Sequence, residues 1–290
     1  MDKILELVKF SQRCGGIMHN IRTFRKLKKK TEKIVMMTAY DYPSGKYVQA
    51  AEADIILVGD SLGMVVLGYP DTLKVTLEDI IHHTKACRRG ADDTFIVADM
   101  PFMSYHLDLE TTKRNAARLI LEGGANAVKL EGGSEARIAA ITAIVGCEIP
   151  VIAHLGLTPQ SVYAFGGYRV QGKKEAGFAK ILKQAIDIQA AGAFMLVLEG
   201  VPEELGRVIS EKLQIPTVGI GAGRYCDGQV LVYHDMLGMS DFVAKFVKEY
   251  DNLSDKITSA LGQFCSEVKA GEFPAKEHVY NAIENNEDIK

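Results

Sequence analysis

The chain has 290 residues, 47% of them hydrophobic and 24% charged, and its 34 basic and 37 acidic side chains leave a formal charge of −3. That is the make-up of an ordinary folded protein, which excludes a disordered chain and a fibrous repeat, and so even a balance leaves no general nucleic-acid footprint. In chain order, residues 1–30 read as an N-terminal extension, with residues 31–290 as one domain behind it. The extension carries a basic cluster, Arg22, Arg25, Lys26, Lys28, Lys29 and Lys30, continued by Lys33. A nucleic-acid arm or a transit segment would use such a cluster, but no matching basic face follows, so a solvated helix end before the first strand is the preferred reading.

From Lys33 onward apolar runs alternate with helical patterns. The runs are Ile34–Thr38, Asp54–Val58, Phe95–Ala98, Ala127–Leu130, Val151–Ala153, Phe194–Leu198 and Thr217–Ile220, with a weaker eighth at Val230–Tyr233. Between them amphipathic helices are expected over Leu77–Arg89, Thr111–Glu122, Ser134–Ile144, Ala176–Ala191 and Pro202–Leu213. Acids or Pro stand early in these helices and Gly just past their ends, which is the usual helix punctuation. Ser240–Lys290 reads as further helices with a charged end at Asn285–Asp288. The strands are near-continuous apolar runs, as in a parallel sheet covered on both faces. About eight strand–helix units at this length predict an α/β fold, a (β/α)8 TIM barrel with N-terminal and C-terminal helical extensions. An open doubly wound sheet is the alternative.

Ionisable residues fall at the C-terminal ends of five of these strands: Asp60, Asp99, Glu131, His154 and Glu199. In a barrel those ends converge on the mouth where the chemistry is done. Lys129 and Glu131 lie two apart and share a face, so with Val128 and Leu130 against the helices both point into the barrel. Asp60, Asp99 and Glu131 at one mouth would repel one another, and a hard divalent cation, Mg²⁺ or Mn²⁺ rather than Zn²⁺, relieves that repulsion for an all-oxygen set.

Three other patterns compete. Gly59-Asp60-Ser61-Leu62-Gly63 fits a serine-hydrolase elbow, with Asp99 and His154 following in order, but such an elbow feeds directly into a helix and Met64-Val65-Val66-Leu67-Gly68 is a poor helix start. Gly219-Ile220-Gly221-Ala222-Gly223 lacks the dinucleotide spacing. His82-His83 lacks the i, i+4 spacing of a metal pair. The five cysteines, Cys14, Cys87, Cys147, Cys226 and Cys265, are scattered with no C-x-x-C, which argues against a disulfide framework and fits a reducing compartment. No apolar run approaches the ~18 residues of a membrane span, and the start of the chain does not read as a secretory signal.

At these same strand ends the sequence resembles the ketopantoate hydroxymethyltransferase (3-methyl-2-oxobutanoate hydroxymethyltransferase) family. The resemblance spans residues 32–280. It is carried by Thr38-Ala39-Tyr40-Asp41, Val58-Gly59-Asp60-Ser61-Leu62-Gly63-Met64, Ala98-Asp99-Met100-Pro101-Phe102-Met103 and Val128-Lys129-Leu130-Glu131-Gly132-Gly133. It continues through His154-Leu155-Gly156-Leu157-Thr158-Pro159-Gln160-Ser161, Gly166-Gly167-Tyr168-Arg169-Val170-Gln171-Gly172, Val197-Leu198-Glu199 and Gly219-Ile220-Gly221-Ala222-Gly223. Val66-Leu67, Lys74 and Gly200 depart from the pattern, and they bear on pocket shape rather than on the charged set.

The resemblance implies a barrel with one Mg²⁺ per subunit on Asp60, Asp99 and Glu131. It implies hydroxymethyl transfer from the co-substrate 5,10-methylenetetrahydrofolate to 3-methyl-2-oxobutanoate, giving 2-dehydropantoate for pantothenate synthesis. It assigns Glu199 as the base at C3, Lys129 as a charge neutraliser beside the substrate, and the Ser61 N–H, with Asp60 and Asp99, to substrate binding. It implies a cytoplasmic homo-oligomer, a decamer, with neither nucleic acid nor membrane as partner. Two rivals are a Mg²⁺-dependent 2-oxo-acid barrel of the phosphoenolpyruvate mutase or isocitrate lyase kind, and a non-enzymatic binding barrel.

Overall fold

A computed structural model describes residues 19–280, so Cys14, most of the N-terminal extension and the charged end at Asn285–Asp288 lie outside the described residues. Eight strands form a closed barrel: β1 Ile34–Thr38, β2 Ile55–Val58, β3 Phe95–Asp99, β4 Ala127–Glu131, β5 Val151–Gly156, β6 Met195–Glu199, β7 Thr217–Ile220 and β8 Gly228–Leu231. Every neighbouring pair is parallel, and β8 closes on β1 through Ile34↔Gly228 and the pairs that follow. The doubly wound alternative is thereby excluded. The described residues divide into two compact units, one running to Tyr233 and including Val243–Val247, the other made of His234–Phe242 and the chain from Lys248 onward.

The expected helices are present with shifted ends. Helix α1 (Ile21–Lys29) occupies the basic cluster and is capped by Asn20. Two of its neighbourhood's lysines are consumed structurally: Lys28 Nζ lies 2.8 Å from Asp227 Oδ2, and Lys33 Nζ donates to Cys226 O at 2.6 Å. Helix α2 (Tyr42–Ala50) starts from an Asp41 capping box. A single turn α3 (Leu62–Val65) follows β2. Helix α4 (Leu77–Gly90) opens on a Thr76–Asp79 capping box and retains Gly90, where a Cβ would stand 2.2 Å from Tyr42 O. Glycine there is a close-packing residue against α2 rather than the stop expected. Helix α5 (Leu109–Leu121) starts two residues earlier than expected because Asp108 caps it. Helix α6 (Glu135–Val145) has Ser134 as its N-cap. A turn α7 (Val162–Phe165) precedes α8 (Glu175–Ala190) and α9 (Glu203–Lys212).

Strand β8 begins two residues before the expected run. Ile34 N–H donates to Asp227 O, and a Cβ at position 228 would lie 2.3 Å from Ile34 O, so pairing requires glycine at its first residue. The Tyr233 N–H donates to Thr38 Oγ1 instead of continuing the ladder.

The strands bury both faces. The outer layer packs Val128, Leu130, Ala153, Leu196 and Leu198 against helix residues Leu119, Ile141, Ile144 and Ile188. The inner layer joins Ile34, Met36, Leu57, Val97, Ala127, Ile152, Val197 and Val218, and Phe24 of α1 completes it. Phe24 is fully buried, with its ring 5.2 Å from that of Phe95 and 6.3 Å from that of Phe194. Phe24→Ala leaves a void there that neighbouring β-strands cannot collapse to fill, so a loss of about 3–5 kcal/mol is expected in denaturant unfolding.

In the second unit, helix α10 (Leu253–Ala270) is capped by Asn252 and has no buried residue. Ile257, Leu261, Phe264 and Val268 recur at four- and three-residue steps, which puts four exposed apolar side chains on one face.

Candidate active site

The inner layer of the barrel positions the charged set by strand parity. Asp99 stands two residues beyond Val97, Lys129 and Glu131 two and four beyond Ala127, His154 two beyond Ile152, and Glu199 two beyond Val197. Each of these side chains therefore shares the inward face of its strand. Asp60 reaches the same place differently, from the first turn after β2 and Gly59. A Cβ at Gly59 would lie 3.0 Å from Ser61 Oγ and 3.3 Å from Asp99 Oδ2, so a larger residue would crowd both side chains.

The groups meet at ion-pairing distance. Lys129 Nζ is 2.9 Å from Asp99 Oδ1 and 3.9 Å from Glu131 Oε1. His154 spans two carboxylates, with Nδ1 3.3 Å from Glu131 Oε1 and Nε2 3.3 Å from Glu199 Oε2. Asp60, Asp99, Lys129, Glu131 and His154 are all buried, and Glu199 is the most open of the set. Gly156 (φ +98°) lets the end of β5 approach that of β6 closely, since a Cβ there would be 2.1 Å from Glu199 O.

Burial dominates the electrostatics. It pushes the Asp60 carboxyl well above the usual range, and the Asp99 and Glu131 charges push the same way. Burial also raises Asp99, against the pull of Lys129. For Glu131 burial is outweighed by His154 and Lys129, and its carboxyl is held low. Burial and Lys129 oppose a charge on His154, but Glu131 and Glu199 on its two sides carry its pKa up to about 9. For Lys129 the three carboxylates outweigh burial and hold it cationic.

Three neutral side chains belong to this cluster and carry no signal in the sequence comparable to a buried charge. Gln160 Nε2 donates to Asp60 Oδ2 at 2.8 Å and to Met100 O at 3.0 Å. Tyr105 OH donates to Gln160 Oε1 at 2.6 Å. Tyr40 OH and Ser61 Oγ are 2.8 Å apart. Gln160 sits inside a segment of family resemblance, but an amide in a loop reads as solvated until its partners are visible.

The hydrolase elbow fails on contacts rather than on the local pattern. Ser61 does run into the turn α3, contrary to the expectation that no helix starts there. Its Oγ meets a tyrosine, while the two nitrogens of His154 lie 3.3 Å from Glu131 Oε1 and 3.3 Å from Glu199 Oε2 rather than against the serine. A histidine so placed cannot deprotonate the serine.

The donor chemistry suits a hard cation. Four carboxyl groups, Asp60, Asp99, Glu131 and Glu199, face two cations, Lys129 and His154, and a divalent ion would favour the ionised forms of Asp60 and Asp99 that burial opposes. One oxygen of each of three carboxylates is pinned by an amide N–H: Asp60 Oδ2 by Gln160 Nε2, Asp99 Oδ2 by Asp60 N, and Glu131 Oε2 by Gln160 N. The second oxygens offer an oxygen-only set. Among the described residues no three His, Cys, Asp or Glu side chains are yet gathered to hold an ion. The Lys129 ammonium stands between Asp99 and Glu131.

The sequence profile of the ketopantoate hydroxymethyltransferase family matches residues 18–276. The chain belongs to that family. It is 52% identical over 268 residues to the 3-methyl-2-oxobutanoate hydroxymethyltransferase of Clostridium beijerinckii, covering 92% of this chain and 97% of that protein. It is 55% identical over 262 residues to that of a Geobacillus species, covering 90% and 94%. A ketopantoate hydroxymethyltransferase is an enzyme, a one-carbon transferase, and this assignment removes the non-enzymatic rival. Solved structures give the fold. A phosphoenolpyruvate phosphomutase from Streptomyces platensis superposes with a TM-score of 0.60 at 14% identity, covering 91% of this chain and 92% of that one. A 2,3-dimethylmalate lyase of the PEP mutase/isocitrate lyase superfamily gives 0.58 at 15%, covering 89% and 91%. A phosphonopyruvate hydrolase in complex with oxalate and Mg²⁺ gives 0.54 at 14%, covering 89% and 92%. The 2-oxo-acid rival thus shares the barrel, while the sequence goes with the hydroxymethyltransferases. Among the described residues no helix is long and apolar enough to cross a membrane.

Proposed function

We propose that the mouth binds 3-methyl-2-oxobutanoate with one Mg²⁺ and adds to its C3 a hydroxymethyl group drawn from 5,10-methylenetetrahydrofolate, giving 2-dehydropantoate for pantothenate synthesis. The observation that carries this reading is the division of labour among the carboxylates. Asp99 and Glu131 flank Lys129, and Gln160 ties Asp60 to Glu131, whereas Glu199 stands on a separate strand across His154. Asp60, Asp99 and Glu131 would hold the ion. Bound there, Mg²⁺ supplies a Lewis acid for the charge that develops on the substrate's keto oxygen.

The chain's own groups do the rest. Ser61 N–H, which makes no hydrogen bond among the described residues, holds the substrate carboxylate beside Asp60 and Asp99. Lys129 offsets charge next to the substrate. Glu199 takes the C3 proton, and His154, 3.3 Å from its carboxylate, keeps it aimed. Water adds to the donor's methylene carbon and tetrahydrofolate leaves with water's two protons on its two nitrogens; the C3 carbanion then bonds to the released one-carbon carbonyl, whose oxygen takes up a proton to become the product's hydroxyl. Four free cysteines among the described residues suit a reducing cytoplasm. The exposed apolar face of α10 supports a homo-oligomer, a decamer on the family pattern, in which a second copy covers it.

The test is solvent exchange at C3 without folate. Wild-type enzyme with Mg²⁺ in D₂O should replace the C3 hydrogen of 3-methyl-2-oxobutanoate by deuterium, as read by proton NMR, and chelation should stop it. Undiminished exchange in chelator would contradict the metal's role.

A further inference from the structure

Gln160 touches two of the three carboxylates proposed to hold the ion, yet none of the roles given so far falls to it. Its side chain is 5% exposed, and each of its hydrogen-bonding groups is used. Both amide protons are donated, to Asp60 Oδ2 and to Met100 O, and the amide oxygen accepts from Tyr105 OH. Its backbone N–H donates to Glu131 Oε2 at 3.0 Å. One residue, in the turn Pro159–Ser161 after β5, thereby grips the ends of β2, β3 and β4 at once.

The orientation of the amide is determined by its partners. Tyr105 OH accepts the Glu131 N–H at 3.2 Å, so its single proton goes to Gln160 Oε1. The Met100 carbonyl can only accept. Turning the amide over would set its oxygen against both Asp60 Oδ2 and Met100 O and leave the Tyr105 proton without an acceptor. The grip is also electrically neutral. Like charges on Asp60 and Glu131 repel, and a cationic residue in place of Gln160 would relieve that repulsion by competing with the ion. An amide fixes the geometry and leaves the anionic charge in place for a cation.

We propose that Gln160 is a positioning residue that sets the separation of the Asp60 and Glu131 carboxylates for cation binding, with Tyr105 fixing the face that Gln160 presents. The inference rests on the metal reading given above. Residues that orient metal ligands from behind typically cost 10–100-fold in metal affinity when removed.

The experiment is a Mn²⁺ titration of full-length protein, with free Mn²⁺ read by electron paramagnetic resonance and no turnover required. Gln160→Leu should weaken Mn²⁺ binding ~10–100-fold. Tyr105→Phe, which removes one oxygen and keeps the ring, should weaken it by a smaller factor. That change provides the test should Gln160→Leu fold poorly. Combining the two should weaken binding no further than Gln160→Leu alone, because Tyr105 acts through Gln160. Wild-type affinity in folded Gln160→Leu or Tyr105→Phe, even with a lowered melting midpoint, would overturn the inference by leaving a purely structural role. No Mn²⁺ binding by the wild type would overturn the metal reading, and this inference with it.

Discussion

Glu199→Gln is expected to slow exchange of the substrate's C3 hydrogen with deuterated solvent by ~10²–10⁴-fold, the usual weight of a general base. Glutamine keeps the size of the side chain and a partner for His154, but not the basic oxygen. Glu199 is the last residue of β6 and approaches only His154, at 3.3 Å, among the charged groups of the mouth. Its removal therefore leaves the Asp60, Asp99 and Glu131 set intact, and Mg²⁺ and the 2-oxo acid should bind with near-normal affinity. Loss of binding together with loss of exchange would move Glu199 into the binding set. Wild-type exchange in Glu199→Gln, with the loss appearing instead in His154→Gln or Lys129→Met, would give the base to whichever residue carries it.

Lys129→Met should destabilise the metal-free protein by about 3–5 kcal/mol, the usual cost of removing one partner from a buried ion pair. Lys129 and Asp99 are each at least nine-tenths buried and lie 2.9 Å apart. Without the ammonium, the buried Asp99 and Glu131 carboxyls are left without the cation between them. A divalent ion on the same carboxylates offsets that loss. The variant's thermal midpoint should therefore rise on adding Mg²⁺ by clearly more than the wild type's, since ligand binding to the native state stabilises it by mass action. Equal Mg²⁺ responses in variant and wild type would show that the ion and Lys129 do not share these carboxylates.

The barrel was legible because a strand buried on both faces leaves a run that few other elements can produce. β1 and β7 match the expected runs residue for residue. β8 was the weakest run because its first residue is a glycine needed for contact with Ile34, and glycine carries no strand signal. Parity on β4 was equally legible: two charged residues alternating with Val128 and Leu130 leave one inward register. The turn α3 was missed, since Val65-Val66 is β-branched and the one turn is held by local backbone bonds to the carbonyls of Gly59, Asp60 and Ser61. Gln160, Tyr105 and Tyr40 were invisible for a different reason. Neutral groups declare themselves only through partners up to 100 positions away, as Gln160 does with Asp60. The basic cluster was half explained by composition, and the rest is the pairing of Lys28 with Asp227 across the barrel's closing strands.

The most direct test mixes purified protein, Mg²⁺, 3-methyl-2-oxobutanoate and 5,10-methylenetetrahydrofolate labelled with ¹³C at the methylene carbon, and follows the label by NMR. The label should appear in the hydroxymethyl carbon of 2-dehydropantoate, only when donor, 2-oxo acid and divalent ion are all present, and Asp99→Ala should lose that signal. Unlabelled 2-oxo acid after complete incubation of folded, metal-loaded protein would contradict the reaction proposed for this mouth.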